Sequence, residues 1–103
     1  MAPGGLLELK GASPETQAMC VQVRPDAEQN SQRTFEYFYP ILFHEQPVAG
    51  INFFIKVHVG GAEYVHVRVF QALPSESKKL SLVGLLLGKT LDDPLEYFEP
   101  NLN

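Results

Sequence analysis

The chain has one cysteine, Cys20, and three histidines, His44, His58 and His66, residue types that often act as nucleophiles, general bases or metal ligands. Nucleophilic catalysis by a thiol needs a general base held beside it. Cys20 instead lies among apolar neighbours, Met19 and Val21, and no catalytic partner for it is evident. We therefore interpret Cys20 as a buried core residue and predict that the protein is not an enzyme.

Two of the histidines fall on adjacent predicted strands. His58 and His66 share the outer face of the predicted sheet as diagonal neighbours. A metal site needs further ligands, and no carboxylate or thiol completes this pair. We predict no metal and no other cofactor.

Length and composition limit the classes of protein that remain. The chain has 103 residues, of which 45% are hydrophobic and 19% charged, which is typical of a single globular domain spanning 1–103. The net charge of -4 without a basic cluster argues against nucleic acid or an anionic membrane as partner. A lone cysteine, no secretory signal pattern and no long apolar run predict a soluble, cytoplasmic protein.

The first third of the chain predicts an arm followed by a helix. Residues 1–11 contain a proline, several glycines and few anchors, so we expect a flexible N-terminal arm. Ser13 is a suitable N-cap and Pro14 suits the first helical position. The helix should run to about Arg33, with a kink at Pro25. Its apolar face comprises Thr16, Met19, Cys20, Val23 and Ala27.

The apolar period then changes to two, which predicts antiparallel strands. In the first strand, the odd-numbered residues from Tyr37 to Phe43, which include Tyr39, should face the core. In the next strand, the odd-numbered residues 51–59 should face the same side of the sheet. Pairing Glu45 with Ile51 would leave 46–50 as the turn. Because Val65, Val67 and Val69 keep the same parity, the reversal at 60–61 needs a three-residue loop or a bulge.

The rest of the chain predicts a second turn, a further strand and a docked tail. Residues 73–77 form the turn, with Pro74 ending the preceding strand, 80–87 form the strand, and 91–98 form a short extra strand. The turns at 46–50 and 73–77 should share one edge of the sheet, opposite the turn at 60–61. The same register leaves an exposed apolar patch on the outer face, which comprises Phe38, Leu42, Phe54 and Phe70.

Several segments resemble the stefins, the type 1 cystatins, over nearly the whole chain. The Gln-x-Val-x-Gly motif stands at 46–50, a Pro-Gly-Gly start at 3–5 and a Leu-Pro pair at 73–74. Stretches 14–17, 54–60 and 66–74 also read as stefin sequence. The resemblance implies the α+β cystatin fold, an antiparallel sheet of four to five strands wrapped around one N-terminal helix, which agrees with the element order above.

The resemblance also implies a function, reversible tight-binding competitive inhibition of papain-like cysteine proteases such as cathepsins. In stefins the arm and two hairpin loops enter the protease cleft together, and Gly4, or Gly5 if the register shifts by one, lets the backbone pass close to the reactive centre. His44, next to the first loop, would face the rim of the protease. The residues that match the stefin contact segments are Pro3, Gly4, Gly5, Gln46, Pro47, Val48, Ala49, Gly50, Leu73 and Pro74.

Two departures from the stefin pattern leave an alternative open. Pro47 stands at a motif position that often carries Val, and Leu85, Leu86 and Leu87 replace a more polar, aromatic stretch. The alternative is a stefin-like interaction or scaffold protein that does not inhibit. We expect a monomer, with exchange of the first hairpin as the route to a dimer.

Overall fold

One helix and five antiparallel strands make up the fold in the computed structural model, which describes residues 5–73 and 79–102. The strands follow one another in the sheet in chain order, so each lies beside its sequence neighbour. The predicted α+β class and strand number are confirmed. Among the described residues, no helix is long and apolar enough to cross a membrane. The elements are β1 (Lys10–Gly11), α1 (Pro14–Ser31), β2 (Tyr39–Val48), β3 (Gly50–Gly60), β4 (Glu63–Gln71) and β5 (Leu80–Lys89).

The helix begins and ends with polar caps. The Ser13 hydroxyl accepts a hydrogen bond from the Thr16 amide at 3.1 Å, and the Thr16 hydroxyl accepts one from the Ser13 amide at 2.8 Å. The helix continues past Pro25 to Ser31 and ends on Gln32 in the left-handed conformation. All five residues of the predicted apolar face are buried: Thr16, Met19, Cys20, Val23 and Ala27.

The predicted register of the first hairpin is wrong by two residues. Glu45 pairs with Phe53 rather than with Ile51, and the two strands extend to Val48 and Gly50, leaving Ala49 alone between them. A shift of two keeps the parity of the strand, so the apolar faces still coincide. The predicted turn is therefore mostly strand.

A second correction concerns the start of β2. A bulge between Pro40 and Leu42 reverses the faces on which the preceding residues lie. Tyr37 and Tyr39, which we predicted to face the core, are 40% and 53% exposed, and Phe38 and Pro40 are buried in their place. At the other end of the hairpins, the register shift between His58 and Gly60 confirms the predicted bulge.

The outer face of the sheet is covered by residues 90–102, named here the C-terminal segment. The rings of Tyr97 and Phe98 lie 5.5 and 5.7 Å from that of Phe54, which is fully buried. The segment docks as predicted, but as irregular chain rather than as a strand. The prediction of an exposed patch is wrong for Phe54, and also for Phe38, which is buried in the core.

Two buried cations fasten the C-terminal segment to the sheet. The Lys56 ammonium donates hydrogen bonds to the carbonyls of Thr90, Leu91 and Asp93 at 2.7, 2.9 and 2.6 Å. The Arg68 guanidinium donates to the Phe98 carbonyl at 2.8 Å. A buried cation is tolerated when such acceptors replace water. These polar contacts fix the path of the segment.

The end of the same segment covers the free edge of β5. The side-chain amide of Asn101 accepts a hydrogen bond from the Leu85 amide at 2.8 Å and donates one to the Leu85 carbonyl at 2.9 Å. The backbone amides of Asn101 and Leu102 both donate to the Val83 carbonyl. Asn101 thus replaces a neighbouring strand at this position.

Candidate functional site

Three segments meet at one edge of the sheet, which we call the loop edge and define as residues 5–7, 46–50 and 71–73. The Leu7 amide donates to the Glu45 carbonyl at 2.7 Å, which holds the arm beside the first loop. Ile51 pairs with Gln71, so the ends of β3 and β4 that carry the first and second loops are neighbours. The shared edge predicted from the hairpin order is present.

The first loop, residues 46–50, consists of buried residues that support it and exposed residues at its tip. Gln46 is buried, and its side-chain carbonyl accepts a hydrogen bond from the Asn52 side-chain amide at 2.8 Å. Pro47, Val48 and Ala49 are exposed, and Val48 leaves 48% of its surface open. Gln46 therefore supports the loop from within the hairpin, while the next three residues offer a small apolar surface.

Glycine is required at position 50 by its backbone conformation and by the lack of room for a side chain. Its φ of 124° lies in the region that favours glycine. A Cβ at this position would lie 2.6 Å from the Gln71 carbonyl oxygen and 2.8 Å from the Phe70 ring. The turn therefore requires glycine, and it brings the first loop into direct contact with the strand that leads to the second.

The second loop is described only at its base. Leu73 is 61% exposed, and the Ala72 amide donates to the Lys79 carbonyl at 2.9 Å across the loop. Pro74 lies outside the described residues, as do Pro3 and Gly4 of the arm. The exposed apolar residues of the loop edge within the described part of the chain are Leu7, Pro47, Val48, Ala49 and Leu73.

Gly5 is the first described residue of the arm. Its φ of 58° is in the left-handed region, and it is half-buried. Two residues later, Leu7 has both of its backbone polar groups bonded to β2. Its amide donates to the Glu45 carbonyl, and its carbonyl oxygen lies 2.7 Å from Nδ1 of His44. The arm is thus bonded to β2 at Leu7, Lys10 and Gly11.

The thiol of Cys20 lies on the buried face of the helix, outside the loop edge. It is fully buried on the helix, and burial raises the pKa of the Cys20 thiol to about 12. Burial of this kind disfavours the thiolate, which is the nucleophilic form of cysteine. The interpretation as a core residue is confirmed.

The histidines do not form a metal site in the described part of the chain. His58 pairs with Tyr64 and His66 with Lys56, which confirms the diagonal arrangement. His58 Nε2 lies 2.8 Å from the Gly61 carbonyl oxygen, and His66 is buried. Within residues 5–73 and 79–102, no group of three His, Cys, Asp or Glu side chains could hold a metal ion.

Sequence reasoning missed the residues that support the loop edge. Asn52 stands opposite Gln46, and this pairing would have followed from the correct register of the hairpin. Phe70 was assigned to an exposed patch, whereas its ring lies against the Gly50 backbone. The bond between His44 and Leu7 joins residues 37 positions apart, and no local pattern in the sequence indicates it.

Comparison with known proteins agrees with this geometry. The family described as Cystatin domain matches residues 4–92. The chain is 47% identical over 98 residues to leukocyte cysteine proteinase inhibitor 1 of Sus scrofa, covering 95% of both proteins. It is 43% identical to Cystatin-A of Felis catus over 95% of this chain and 100% of that protein. It is 46% identical to Cystatin-B of Homo sapiens over 84% of this chain and 89% of that protein. The chain therefore belongs to the cystatin family, among the stefin-type cystatins represented by Cystatin-A and Cystatin-B.

Proposed function

We propose that this protein is a reversible, tight-binding, competitive inhibitor of papain-like cysteine proteases. Family membership supports inhibition of cysteine proteases in general, and the name of the Sus scrofa relative states it for that protein. The observation that carries the proposal for this chain is the loop edge, where the arm and both hairpin ends lie side by side. A surface of this form suits a narrow cleft.

Inhibition by this edge would be steric rather than chemical. The exposed residues Val48, Ala49 and Leu73 carry no nucleophile or titratable group, and the relatives are named as inhibitors or cystatins. Contacts beneath the surface hold the first loop, chiefly Gln46 with Asn52 and Gly50 against Phe70. A loop that is ordered before binding loses little entropy in the complex, which favours a slow dissociation rate.

The finer features of the proposal concern target, contacts and location. We propose cathepsins as the target proteases, with no nucleic acid or membrane partner, and a cytoplasmic monomer as the active form. The contact set is the one that the resemblance to the stefins implies, including Pro3, Gly4 and Pro74 outside the described residues. Flexibility of 1–11 as a whole stays a prediction, although Leu7, Lys10 and Gly11 are bonded to β2.

A pair of matched substitutions tests the proposed surface. Val48→Glu places a charge at the tip of the first loop, and Val21→Glu places the same charge on an exposed helix position, where Val21 is 72% exposed. We expect Val48→Glu to weaken inhibition of papain by about 10- to 100-fold, since a charge buried against an apolar cleft loses its hydration. Val21→Glu should inhibit like the parent. Equal inhibition by all three proteins would refute the assignment.

The alternative function rests on Pro47. This residue is exposed at the tip and pairs with Ile51, and its ring removes a backbone donor from the loop. If the chain is a stefin-like interaction protein that does not inhibit, the parent should leave papain active and Pro47→Val should restore inhibition. Inhibition by the parent would exclude this alternative.

A further inference from the structure

The arm is held to β2 at Leu7 through both of its backbone polar groups. The Leu7 amide donates to the Glu45 carbonyl, and the Leu7 carbonyl lies 2.7 Å from Nδ1 of His44. A carbonyl oxygen can only accept, so Nδ1 of His44 carries the hydrogen. The two bonds come from adjacent residues of β2 and fix Leu7 from two directions.

Neighbouring contacts continue this attachment toward the helix. Lys10 pairs with Phe43, and its ammonium lies 3.5 Å from the Glu45 carboxylate. The Ala12 amide donates to the Ile41 carbonyl at 3.0 Å. The His44 bond is the only one of these contacts in which a side chain of β2 binds the backbone of the arm. His44 also lies two residues before Gln46, the residue at which the first loop begins.

We propose that His44 is a positioning residue that aligns the N-terminal arm with the first loop before any protease is bound. Without the bond from His44, Leu7 would keep a single backbone contact and the arm would sample more directions. The arm would then have to become ordered when the protease binds, and the conformational entropy lost in that step would weaken the affinity. The effect on inhibition rests on the function proposed above, whereas the alignment of the arm does not.

The competing explanation is that His44 touches the protease directly. Its position next to the first loop allows that contact as well. The two explanations differ in whether the effect of His44 depends on the arm. A positioning residue acts through the arm, whereas a direct contact persists when the arm is shortened.

The first experiment measures the alignment in the free, full-length protein. Hydrogen exchange at the Leu7 amide is followed by NMR in the parent, in His44→Leu and in His44→Asn, whose side-chain amide nitrogen stands near the position of Nδ1. We expect His44→Leu to reduce protection at Leu7 about three- to tenfold, the effect of one ordinary hydrogen bond. His44→Asn should retain most of the protection. The Ala12 amide, bonded to Ile41, is the internal control and should not change. Unchanged protection at Leu7 in His44→Leu would overturn the proposal.

The second experiment measures the consequence for inhibition of papain. His44→Leu is compared with the parent in the full chain and in a chain without residues 1–4, which retains every contact described here. We expect the dissociation rate to rise about three- to tenfold in the full chain, since one hydrogen bond is lost, and less than twofold in the shortened chain. Equal increases in both chains would show direct contact and overturn the positioning role. If no chain inhibits papain, the proposed function fails, and exchange at Leu7 alone decides whether His44 aligns the arm.

Discussion

At the scale of single residues, Gly50 is restricted both by its backbone conformation and by the atoms around it. Gly50→Ala must combine a φ of 124° with a Cβ 2.6 Å from the Gln71 carbonyl oxygen. We expect a loss of about 2–4 kcal/mol in the free energy of unfolding, from backbone strain and from displacement of Phe70. Urea unfolding measures the change.

Gly11 provides the matched control for that substitution. A Cβ at Gly11 meets nothing within 4 Å, and its φ is not positive. Gly11→Ala should change the free energy of unfolding by less than about 0.5 kcal/mol, as is usual at exposed positions. Similar losses at the two glycines would contradict the constraint that we assign to Gly50.

His66 gives the fold a dependence on pH. Burial, together with the nearby charges of Lys56 and Lys89, lowers the pKa of its imidazole from 6.5 to about 4. Between these values the unfolded chain binds a proton that the folded protein does not, so stability falls as pH decreases from about 6.5 to 4. The contribution is complete above pH 6.5, and about 2–3 kcal/mol should be lost by pH 4.5.

A variant without the imidazole tests that dependence. We expect His66→Gln to lose less unfolding free energy than the parent between pH 7.5 and pH 4.5, measured by urea unfolding at both values. The comparison at pH 7.5 is the control, because His66 is neutral there in both states of the parent. The same loss on acidification in both proteins would show that His66 does not titrate as described.

Single residues were predictable where one local property decides their environment. Cys20 falls on the apolar face of a periodic helix, so its burial followed from spacing. His44 could be placed beside the first loop, but not against Leu7, because that contact depends on how the arm lies. The buried pair of Gln46 and Asn52 depends on register, which spacing alone does not specify.

At the scale of elements, the pair formed by Gln46 and Asn52 fixes the end of the first hairpin. Asn52→Leu keeps the size of the side chain but removes the donor to Gln46, leaving a buried carbonyl with one bond fewer. We expect a loss of about 1–3 kcal/mol in stability, since a buried polar group loses a partner. Urea unfolding of the single variant measures this cost.

A double substitution controls for lost packing at the same place. Gln46→Leu combined with Asn52→Leu removes both members of the pair, so it should cost less than the sum of the two single substitutions. Additive losses would mean that the two side chains do not act as a pair. Inhibition of papain, measured on the same proteins, reports whether the shape of the loop follows its stability.

Strands and helix were predictable from period and capping, whereas register was not. The valines of β4 and the bulge near Gly60 followed from parity, because a wrong parity would expose the core face. A shift of two residues leaves parity unchanged, so the pattern could not distinguish Glu45 with Ile51 from Glu45 with Phe53. The bulge near Ile41, which exposes Tyr37 and Tyr39, leaves no signal in an alternating apolar run.

At the scale of the whole molecule, the C-terminal segment closes the sheet. It covers the outer face through Lys56 and Arg68 and covers the β5 edge through Asn101. The sequence predicted that the tail docks, but an irregular segment held by polar contacts has no periodic signature. Burial of Phe54 and Phe38 leaves only Leu42 and Phe70 of the predicted apolar patch partly exposed.

Opening the β5 edge should promote self-association. Asn101→Ala removes both bonds to Leu85 and leaves strand groups free to pair with another copy. We expect a loss of about 1–2 kcal/mol in stability, from two hydrogen bonds, and a dimer fraction that grows with concentration in sedimentation velocity. Asn30→Ala, an exposed helix position bonded only to Asp26 among the described contacts, is the control and should stay monomeric. A monomeric Asn101→Ala at all concentrations would contradict the edge-covering role.

The central claim is that the loop edge occludes the cleft of a papain-like protease without being cut. The most direct test is a titration of papain, whose concentration of active sites is known, with the full-length protein. Residual activity is measured with a small substrate. The inhibitor is then recovered and its mass is determined. We predict a linear loss of activity that ends at one inhibitor per active site, relief of inhibition by excess substrate, and recovery of an intact chain. Full protease activity at micromolar concentrations of the protein, or recovery of a chain cleaved within residues 46–50, would contradict the account.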